Sequence, residues 1–240
     1  MSRTPLKTAI VTGASRGLGL ALARALGERG WRLVIDARGS EELERARREL
    51  GERSEVVALA GDVADDWHRT ALVEEAGRGV DLLVNNASVL GPSPLPPVAE
   101  LPLDGFERIL RVNALAPLGL IQRVLPRMPA GGRIVNVSSD AAVEPYEGWA
   151  GYGSSKAALE QLTRILAAER PDLRVYVVDP GDMRTRMHQD AFPGEDISDL
   201  PPPEESVPGL LELIEGALPS GRYAARALGA QRSETAGVPS

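Results

Sequence analysis

The sequence contains no cysteine and only two histidines, His68 and His188. The absence of thiols excludes disulfides, thiolate zinc sites and cysteine nucleophiles. Two histidines are too few for a histidine-rich metal centre, because such a centre takes three or more imidazole ligands. We therefore expect a functional site that contains no metal.

Basic residues are fewer than acidic ones: 27 Lys and Arg against 34 Asp and Glu give the 240-residue chain a formal net charge of −7. This balance argues against general nucleic-acid binding, which needs a basic surface. The sequence also lacks an apolar run of the ~20 residues that a membrane helix needs. Its first residues, MSRTPLKTAIVTG, lack the apolar region of a signal peptide. We expect a cytoplasmic protein with neither nucleic-acid nor membrane partners.

Short apolar, β-branched runs alternate with longer helix-like stretches along the chain. The runs typical of strands are Thr8–Thr12, Arg32–Ile35, Glu55–Ala60, Val80–Val84, Arg133–Val137 and Arg174–Val178. The helix-like stretches are Leu18–Arg29, Ser40–Leu50, Asp66–Ala76, Leu103–Leu125 and Gly153–Glu169. This alternation predicts an α/β fold: a doubly wound, Rossmann-like parallel sheet with helices on both faces, in three α/β/α layers.

No internal repeat and no linker divides the chain, so we expect a single domain over residues 1–228. Two proline-rich stretches, Gly91–Pro97 and Pro193–Pro203, follow predicted strand ends. Each either rims a ligand site or forms a stiff surface loop. The segment Gly229–Ser240 is small and polar, and we expect it to be a flexible C-terminal tail.

A glycine-rich turn, TGASRGLG at 12–19, joins the first predicted strand to the first predicted helix. Gly13, Gly17 and Gly19 carry no Cβ, so backbone amides can approach a pyrophosphate closely. The helix that begins near Leu18 directs its positive N-terminus at the same anion. The strand–turn–helix context predicts a dinucleotide cradle, and a tight turn without a ligand is the alternative.

The end of the second strand bears on the choice of cofactor. A carboxylate there, such as Asp36, would hold a ribose hydroxyl and favour NAD(H), whereas a nearby arginine favours the 2′-phosphate of NADP(H). Arg38 lies just past the strand end, and Arg16 in the glycine turn could reach the same phosphate. We therefore expect Asp36 to face away from this phosphate. The two arginines favour NADP(H), and NAD(H) stays open. The alternative for Arg38 is a solvated surface charge.

Tyr152 and Lys156 open a predicted helix and lie one turn apart on the same face. A phenol has a usual pKa of about 10, and a neighbouring cation stabilises the phenolate. The pair is therefore a workable general acid and base. Ser138 and Ser139 follow the strand Arg133–Val137, at the sheet edge where ligands bind, and can bond a substrate oxygen. Turn capping is the alternative for one of the two serines.

Seven segments in this order resemble the short-chain dehydrogenase/reductase family from about Lys7 to about Leu228. They are TGASRGLG at 12–19, Asp62 in GDV, NNAS at 85–88, Asn113 in RVNALAP, NVSS at 136–139, YGSSK at 152–156 and DPGDMRT at 179–185. In that family the catalytic serine precedes the tyrosine by thirteen residues, so the resemblance favours Ser139 over Ser138.

The resemblance implies a role for each matching residue. Tyr152 would exchange a proton with the substrate oxygen, Lys156 would lower the pKa of Tyr152 and bond the nicotinamide ribose, Ser139 would orient the substrate oxygen, and Asn113 would hold a water of a proton relay. The implied cofactor contacts are Gly13, Ser15, Arg16, Gly17, Leu18, Gly19, Arg38, Asp62, Val63, Asn86, Ala87, Tyr152, Lys156, Pro180, Gly181 and Thr185. The alternatives are a cap of the following turn for Asp62, a locally satisfied polar residue inside a helix for Asn113, and an ordinary loop hydroxyl for Thr185.

Two departures from the family pattern stand out. Ser88 replaces the glycine that commonly ends the NNAG motif, a change we expect to be tolerated. The substrate lid, about 182–205 by this resemblance, has mixed polarity and includes Asp182 and Arg184, which either pair with each other or face solvent. This polarity argues against assigning a steroid-like substrate.

The resemblance implies an NADP(H)-dependent carbonyl reductase or alcohol dehydrogenase that acts on a small-molecule carbonyl or alcohol. The alternative is a non-catalytic dinucleotide sensor or scaffold on the same fold, because a fold does not determine a function. A sensor would not need Ser139, Tyr152 and Lys156 together. The resemblance also implies a homodimer or homotetramer, with an apolar seam supplied by Ala157, Ala158, Leu162 and Ile165.

Overall fold

The computed structural model describes residues 6–236, with side chains to Ala230. Its seven strands are β1 Thr8–Val11, β2 Arg32–Ala37, β3 Val56–Ala60, β4 Leu82–Asn85, β5 Arg133–Val137, β6 Arg174–Asp179 and β7 Gly221–Ala224. Its helices within these residues are α1 Gly17–Glu28, α2 Ser40–Gly51, α3 Asp66–Ala76, α4 Leu103–Leu110, α5 Ala116–Val124, α6 Ala150–Glu169, α7 Arg186–Ala191, α8 Val207–Glu215 and α9 Ala225–Ala236.

The strands form one parallel sheet in the order β3-β2-β1-β4-β5-β6-β7. The chain winds outward in one direction from β1 to β3, crosses back to β4, and then winds in the other direction. The predicted doubly wound parallel sheet is therefore confirmed. β1 and β4 are neighbours in the sheet, and the winding direction reverses between them. The loops that follow these two strands therefore diverge and open a crevice at the carboxyl edge of the sheet.

Alternate residues of each central strand pack on opposite faces, because successive side chains of a strand point to opposite sides. In β1, Ala9 and Val11 pack with α1, α2 and α8, whereas Ile10 packs with α3, α5 and α6. All three side chains are fully buried. Two apolar layers therefore enclose the sheet, which explains why the strands are recognisable as continuous apolar runs.

One predicted helix, Leu103–Leu125, is in fact interrupted. It consists of α4, a wide π turn at Arg111–Leu115, and α5. Pro117 has no N–H to donate to the carbonyl of Asn113 four residues earlier, so a regular α-helical ladder cannot continue through this point. The interruption places Asn113 beside the functional site described below.

The C-terminal part differs most from the sequence-based expectation. Strand β7 was not predicted because it has four residues that alternate between half-buried and exposed, as an edge strand does. Helix α9 extends through residues 229–236, so the predicted tail is helical over that range, and residues 237–240 lie outside the described part. Among residues 6–236, no helix combines the length and the apolar character needed to cross a bilayer.

Candidate active site

The glycine turn after β1 has the backbone conformation that its sequence requires. Gly13 and Gly17 have φ values of +66° and +56°, which side chains with a Cβ rarely adopt. Helix α1 begins at Gly17, and the side chain of Arg16 does not cap it. The first N–H groups of α1 are therefore not used by a capping side chain and can serve an anion.

The end of β4 holds this turn in place. The hydroxyl oxygen of Thr12 accepts the backbone N–H groups of Asn86 and Ala87, each at 3.0 Å. In return, the Asn86 amide donates to the carbonyls of Thr12 and Gly13 at 2.8 and 3.2 Å. Gly19 packs directly against Gly13 and Asn86, where a Cβ would lie 2.5 Å from the Gly13 carbonyl oxygen. Its role is close packing rather than an exposed ligand contact.

Asp36 supports the same turn from β2. It is only 1% exposed, and its carboxylate accepts the N–H of Gly13 at 2.8 Å. Its other oxygen lies 3.0 Å from Nε2 of His68, on α3. Both carboxylate oxygens are therefore engaged within the protein, and Asp36 acts as a brace for the glycine turn.

Charged side chains gather around the far end of the crevice. Arg16 and Glu42 form an ion pair of 2.7 Å, and Arg38 lies on the loop between β2 and α2. Asp62 accepts the N–H of Ala64 at 2.8 Å and the guanidinium of Arg108. Burial alone would raise the pKa of Asp62, but these two hydrogen bonds, together with the positive charges of Arg108 and Arg38, outweigh it and lower the pKa. Asp62 thus combines local capping with a position on the wall of the crevice.

A cavity of about 1080 Å³ runs from these charges past the glycine turn to α6. Most of the predicted cofactor contacts line it, namely Gly13, Ser15, Arg16, Gly17, Leu18, Arg38, Asp62, Val63, Asn86, Ala87, Tyr152, Lys156, Pro180 and Thr185. Gly19 and Gly181 do not line it, and neither do Asn113 and Ser139. Thr185 also caps α7 by accepting the N–H of His188 at 3.3 Å, a role that was not predicted from the sequence.

Tyr152 and Lys156 lie one turn apart on α6 and are 7% and 2% exposed. The Lys156 ammonium donates to the Val137 carbonyl at the end of β5, at 2.8 Å, and lies 5.5 Å from the centroid of the Tyr152 ring. An edge-to-face contact with Trp149, with centroids 5.6 Å apart, holds the tyrosine ring from the other side. The pair is therefore rigidly positioned at the end of the cavity.

The two serines after β5 have different partners. Ser139 caps the short 3₁₀ turn Asp140–Ala142: its oxygen accepts the Ala141 N–H at 3.2 Å, and its proton goes to Asp140 at 2.8 Å. It also lies within hydrogen-bonding reach of the Tyr152 hydroxyl. Ser138 instead donates to the buried carboxylate of Glu160 at 2.7 Å. Of the two serines, Ser139 is the one placed beside Tyr152.

The protonation of Tyr152 and Lys156 departs from the sequence-based expectation. Burial raises the pKa of Tyr152 above its ordinary value, and hydrogen bonds from Ser88 and Ser139 offset this only in part. Burial also lowers the pKa of Lys156 to about 8, against the attraction of Glu160. The pKa of Tyr152 thus lies above its ordinary value, whereas the resemblance implies that Lys156 lowers it; the effect of Lys156 on this pKa stays a prediction. At neutral pH the site holds a protonated phenol beside an ammonium group.

Asn113 is fully buried and joins three segments of the site. Its carbonyl oxygen accepts from the Val89 N–H at 2.9 Å and the Ser88 hydroxyl at 3.1 Å. Its amide donates to the Val89 carbonyl and to the Ser155 hydroxyl on α6, each at 2.9 Å. Asn113 thereby fixes the loop after β4 against α6, and its role in holding a water stays a prediction.

Comparison with known proteins decides the family. Residues 7–196 match the sequence model of the family described as short chain dehydrogenase, which is well over half of the chain. The chain belongs to the short-chain dehydrogenase/reductase family.

Several relatives of this short-chain dehydrogenase/reductase are similar in sequence. Short chain dehydrogenase asqE of Emericella nidulans is 41% identical over 177 residues, which cover 68% of this chain and 64% of that protein. Benzil reductase IRC24 of Saccharomyces cerevisiae is 35% identical over 196 residues, 77% of this chain and 74% of that protein. The alignment spans less than two thirds of asqE and also of penD from Penicillium thymicola, which is 37% identical.

Solved structures of family members share the whole fold. A short chain dehydrogenase from Pseudomonas syringae superposes with a TM-score of 0.85 at 28% identity and covers 91% of this chain and 94% of that one. One from Shigella flexneri, solved in complex with NADP, has a TM-score of 0.83 at 27% identity and covers 92% of this chain and 97% of that one.

The residues of this family member fit a nicotinamide dinucleotide. The left-handed glycines bring the backbone of the turn close to the cavity, and the start of α1 offers N–H groups that its N-cap side chain leaves unbonded. The cavity continues from this turn to Lys156, whose ammonium suits a ribose hydroxyl. The turn would hold the diphosphate, and Lys156 would hold the ribose next to the nicotinamide.

The segment expected to form the substrate lid, about residues 182–205, stays a prediction as a lid, and its two charged residues have separate partners. Asp182 and Arg184 do not pair with each other: Arg184 donates to the Ser198 carbonyl at 3.1 Å, and the Asp182 carboxylate lies 3.7 Å from Nδ1 of His188. Met187 and Phe192 pack with Leu90 and Tyr152. Apolar side chains of the lid therefore cover the tyrosine.

Three polar contacts of the site were not predicted from the sequence. Glu42 pairs with Arg16, Arg108 pairs with Asp62, and the Ser88 hydroxyl lies between Asn113 and Tyr152. The NNAS motif was the signal that could have indicated the last of these, because it adds a hydroxyl to a loop of the site. The pairs of Glu42 with Arg16 and of Arg108 with Asp62 depend on which segments the fold brings together across the crevice, so the sequence did not indicate them.

Replacing Ser88 by glycine or alanine is expected to lower kcat by about three- to tenfold. The hydroxyl has a single proton, which it can give either to Asn113 or to the Tyr152 phenolate, and the loss of one such bond has an effect of this size. The alanine variant keeps a Cβ and so separates the hydroxyl from packing. Steady-state kinetics check this, and unchanged kcat in both variants would show that Ser88 does not assist Tyr152.

Proposed function

We propose that the protein is an NADP(H)-dependent carbonyl reductase or alcohol dehydrogenase. The observation that carries this proposal is the arrangement at the end of the cavity. There the Tyr152 hydroxyl lies in reach of Ser139, with the Lys156 ammonium one helical turn away and the glycine cradle at the other end of the same cavity. A dinucleotide laid along this cavity brings its reactive end to the tyrosine.

Bound nicotinamide supplies or accepts the hydride of the reaction. In the reductive direction, Tyr152 gives its proton to the carbonyl oxygen of the substrate, and this oxygen becomes a hydroxyl. Ser139 turns its hydroxyl proton from Asp140 to the same oxygen and so favours the developing negative charge. Lys156, charged below a pKa of about 8, then stabilises the phenolate that Tyr152 becomes. In the oxidative direction the phenolate takes the proton back.

The protonation state suits this role. Because burial raises the pKa of Tyr152, the phenol is fully protonated at neutral pH and is ready to donate. Its conjugate base forms only as the substrate oxygen takes up charge, so the ammonium of Lys156 acts mainly after the proton has left. This is the behaviour expected of an interaction that is stronger in the transition state than in the ground state.

The preference for NADP(H) rests on the charges at the other end of the cavity. Asp36 lines the cavity together with Arg16 and Arg38. Its carboxylate oxygens are engaged with Gly13 and His68, however, which makes it a poor partner for a ribose hydroxyl. Guanidinium groups bind phosphate through charge-assisted bonds. The NADP complex of the Shigella flexneri relative is in accord with this preference.

Replacing Arg38 by alanine is expected to raise KM for NADPH about ten- to a hundredfold and to leave KM for NADH nearly unchanged, because the lost bond is charge-assisted and specific to the 2′-phosphate. Arg45→Ala, which removes the same charge from the exposed face of α2, is the matched control. Initial rates with both nucleotides check this. Equal losses for NADPH and NADH would contradict the assignment of Arg38.

Apolar side chains line part of the cavity, among them Leu90 and Met187, which pack with Tyr152. This lining favours a small carbonyl compound with uncharged substituents. The experiment that tests the function is a measurement of initial rates with NADPH and with NADH over a panel of ketones, aldehydes and quinones. Tight binding of NADPH without turnover of any of them would instead favour a dinucleotide sensor.

We also propose a cytoplasmic homodimer or homotetramer. Exposed apolar side chains on or beside α4, α5 and α6 support self-association: Leu103, Leu115 and Ile165 are 83%, 55% and 45% exposed. Light scattering at micromolar concentration tests this, and a purely monomeric species would refute it.

A further inference from the structure

The carboxylate of Glu42 lies where the adenosine end of the cavity collects positive charge. One of its oxygens is 2.7 Å from the Arg16 guanidinium. The same oxygen is 4.0 Å from the position that a Cβ on Gly39 would occupy, so it sits over the loop that joins β2 to α2. Arg16, Arg38, Gly39 and Glu42 all line the same cavity. An acidic group is therefore present among residues that suit an anion.

The surroundings of this carboxylate attract anions in two ways. Arg16 comes from the glycine turn and Arg38 from the end of β2, so two guanidinium groups reach the region from different segments. Helix α2 begins at Ser40, and its N-cap residue, Gly39, supplies no side-chain cap. The N–H groups of the first turn add a partial positive charge. The Glu42 carboxylate lies in this positive environment and pairs with Arg16.

We propose that Glu42 is a specificity-determining residue that weakens binding of the 2′-phosphate by holding Arg16 and by repelling the phosphate. This inference rests on the proposed preference for NADP(H), and it adds an element that opposes that preference. A carboxylate and a phosphate are equivalent partners for a guanidinium, so both cannot use Arg16 fully at the same time. A nucleotide without a 2′-phosphate leaves the ion pair of Arg16 and Glu42 intact.

The size of the effect follows from the exposure of the pair. The Arg16 and Glu42 side chains are 51% and 39% exposed. Exposed ion pairs contribute little, so release of Arg16 is expected to change a dissociation constant by about fivefold at most. The contribution should also shrink as ionic strength rises, because salt screens exposed charges. Glu42 therefore tunes discrimination between the two nucleotides, and Arg38 remains the main determinant.

The test is calorimetric binding of two small probes, adenosine 2′,5′-bisphosphate and adenosine 5′-monophosphate, to the wild-type protein, Glu42→Gln and Glu41→Gln. The Glu41 variant removes the same charge from the same turn of α2 and is the matched control. We expect Glu42→Gln to bind the bisphosphate about three- to fivefold more tightly at low salt, with an unchanged affinity for the monophosphate and a smaller gain at high salt.

Two results would overturn the role of Glu42. One is a bisphosphate affinity in Glu42→Gln that merely equals that of Glu41→Gln. The other is a weaker affinity, which would show that Glu42 aligns Arg16 for the phosphate. Failure of the NADP(H) preference looks different: the wild-type protein would bind both probes equally. If the wild-type protein bound both probes equally, a tighter affinity of Glu42→Gln for the bisphosphate alone would still support the role of Glu42.

Discussion

Replacing Tyr152 by phenylalanine is expected to lower kcat by about a thousandfold or more while the dissociation constant for NADPH changes by less than about threefold. The variant removes only the hydroxyl, which is the proposed proton donor, and general acid catalysis contributes rate factors of this order. The ring stays against Trp149, so the fold and the cavity wall are retained. Steady-state rates and fluorescence titration with NADPH measure the two quantities separately.

The matched control is Tyr146→Phe. Tyr146 is 47% exposed, and its hydroxyl donates to Asp140 at 2.9 Å, outside the cavity lining. Its loss should leave kcat within about twofold, as for most surface contacts. Near-normal activity of Tyr152→Phe would remove the tyrosine from the chemistry, and a parallel loss in Tyr146→Phe would indicate a general disturbance of the loop.

Replacing Lys156 by methionine is expected to lower kcat/KM by at least about a hundredfold and to change its dependence on pH. The wild-type protein should lose activity as pH rises through about 8, because burial favours the neutral amine and the ammonium group gives up its proton there. Below that pH the cation is present, and it stabilises the phenolate. The methionine variant has no such group and should show no decline near pH 8.

The chain contains only one other lysine, Lys7, which makes a natural control. Its ammonium lies 5.4 Å from the centroid of the Trp31 ring, and Lys7 directly precedes β1, at the edge of the sheet opposite the carboxyl edge that carries the site. Lys7→Met should keep both the wild-type rate and the decline near pH 8. An unchanged decline in the residual activity of Lys156→Met would contradict the assignment of that titration to Lys156.

The overall fold was predictable because the sheet is buried on both faces. Strands such as β4 carry continuous apolar side chains, here Leu82 to Val84, and the helices between the strands are long enough to be distinguished by length. The exceptions have physical reasons. Strand β7 is too short and too exposed to stand out, and the break at Pro117 depends on the loss of one donor within an otherwise helical pattern.

The candidate site was predictable where function requires a particular residue type at a set spacing. The glycines of the turn and the pair Tyr152 and Lys156 are of this kind. The partners of these residues were less accessible, because they come from distant segments: Asp36 braces Gly13, and Glu42 holds Arg16. The direction of the Tyr152 pKa could not be inferred from a neighbouring cation alone, since it depends on how deeply the fold buries the ring.

The proposed reaction is tested most directly by the transfer of deuterium from NADPH labelled at C4 of the nicotinamide to a carbonyl substrate that the wild-type protein turns over. We expect an alcohol product with one deuterium on the former carbonyl carbon, and no detectable product from Tyr152→Phe under the same conditions. An unlabelled product from NADPH labelled on either face, or an equal yield from Tyr152→Phe, would contradict it.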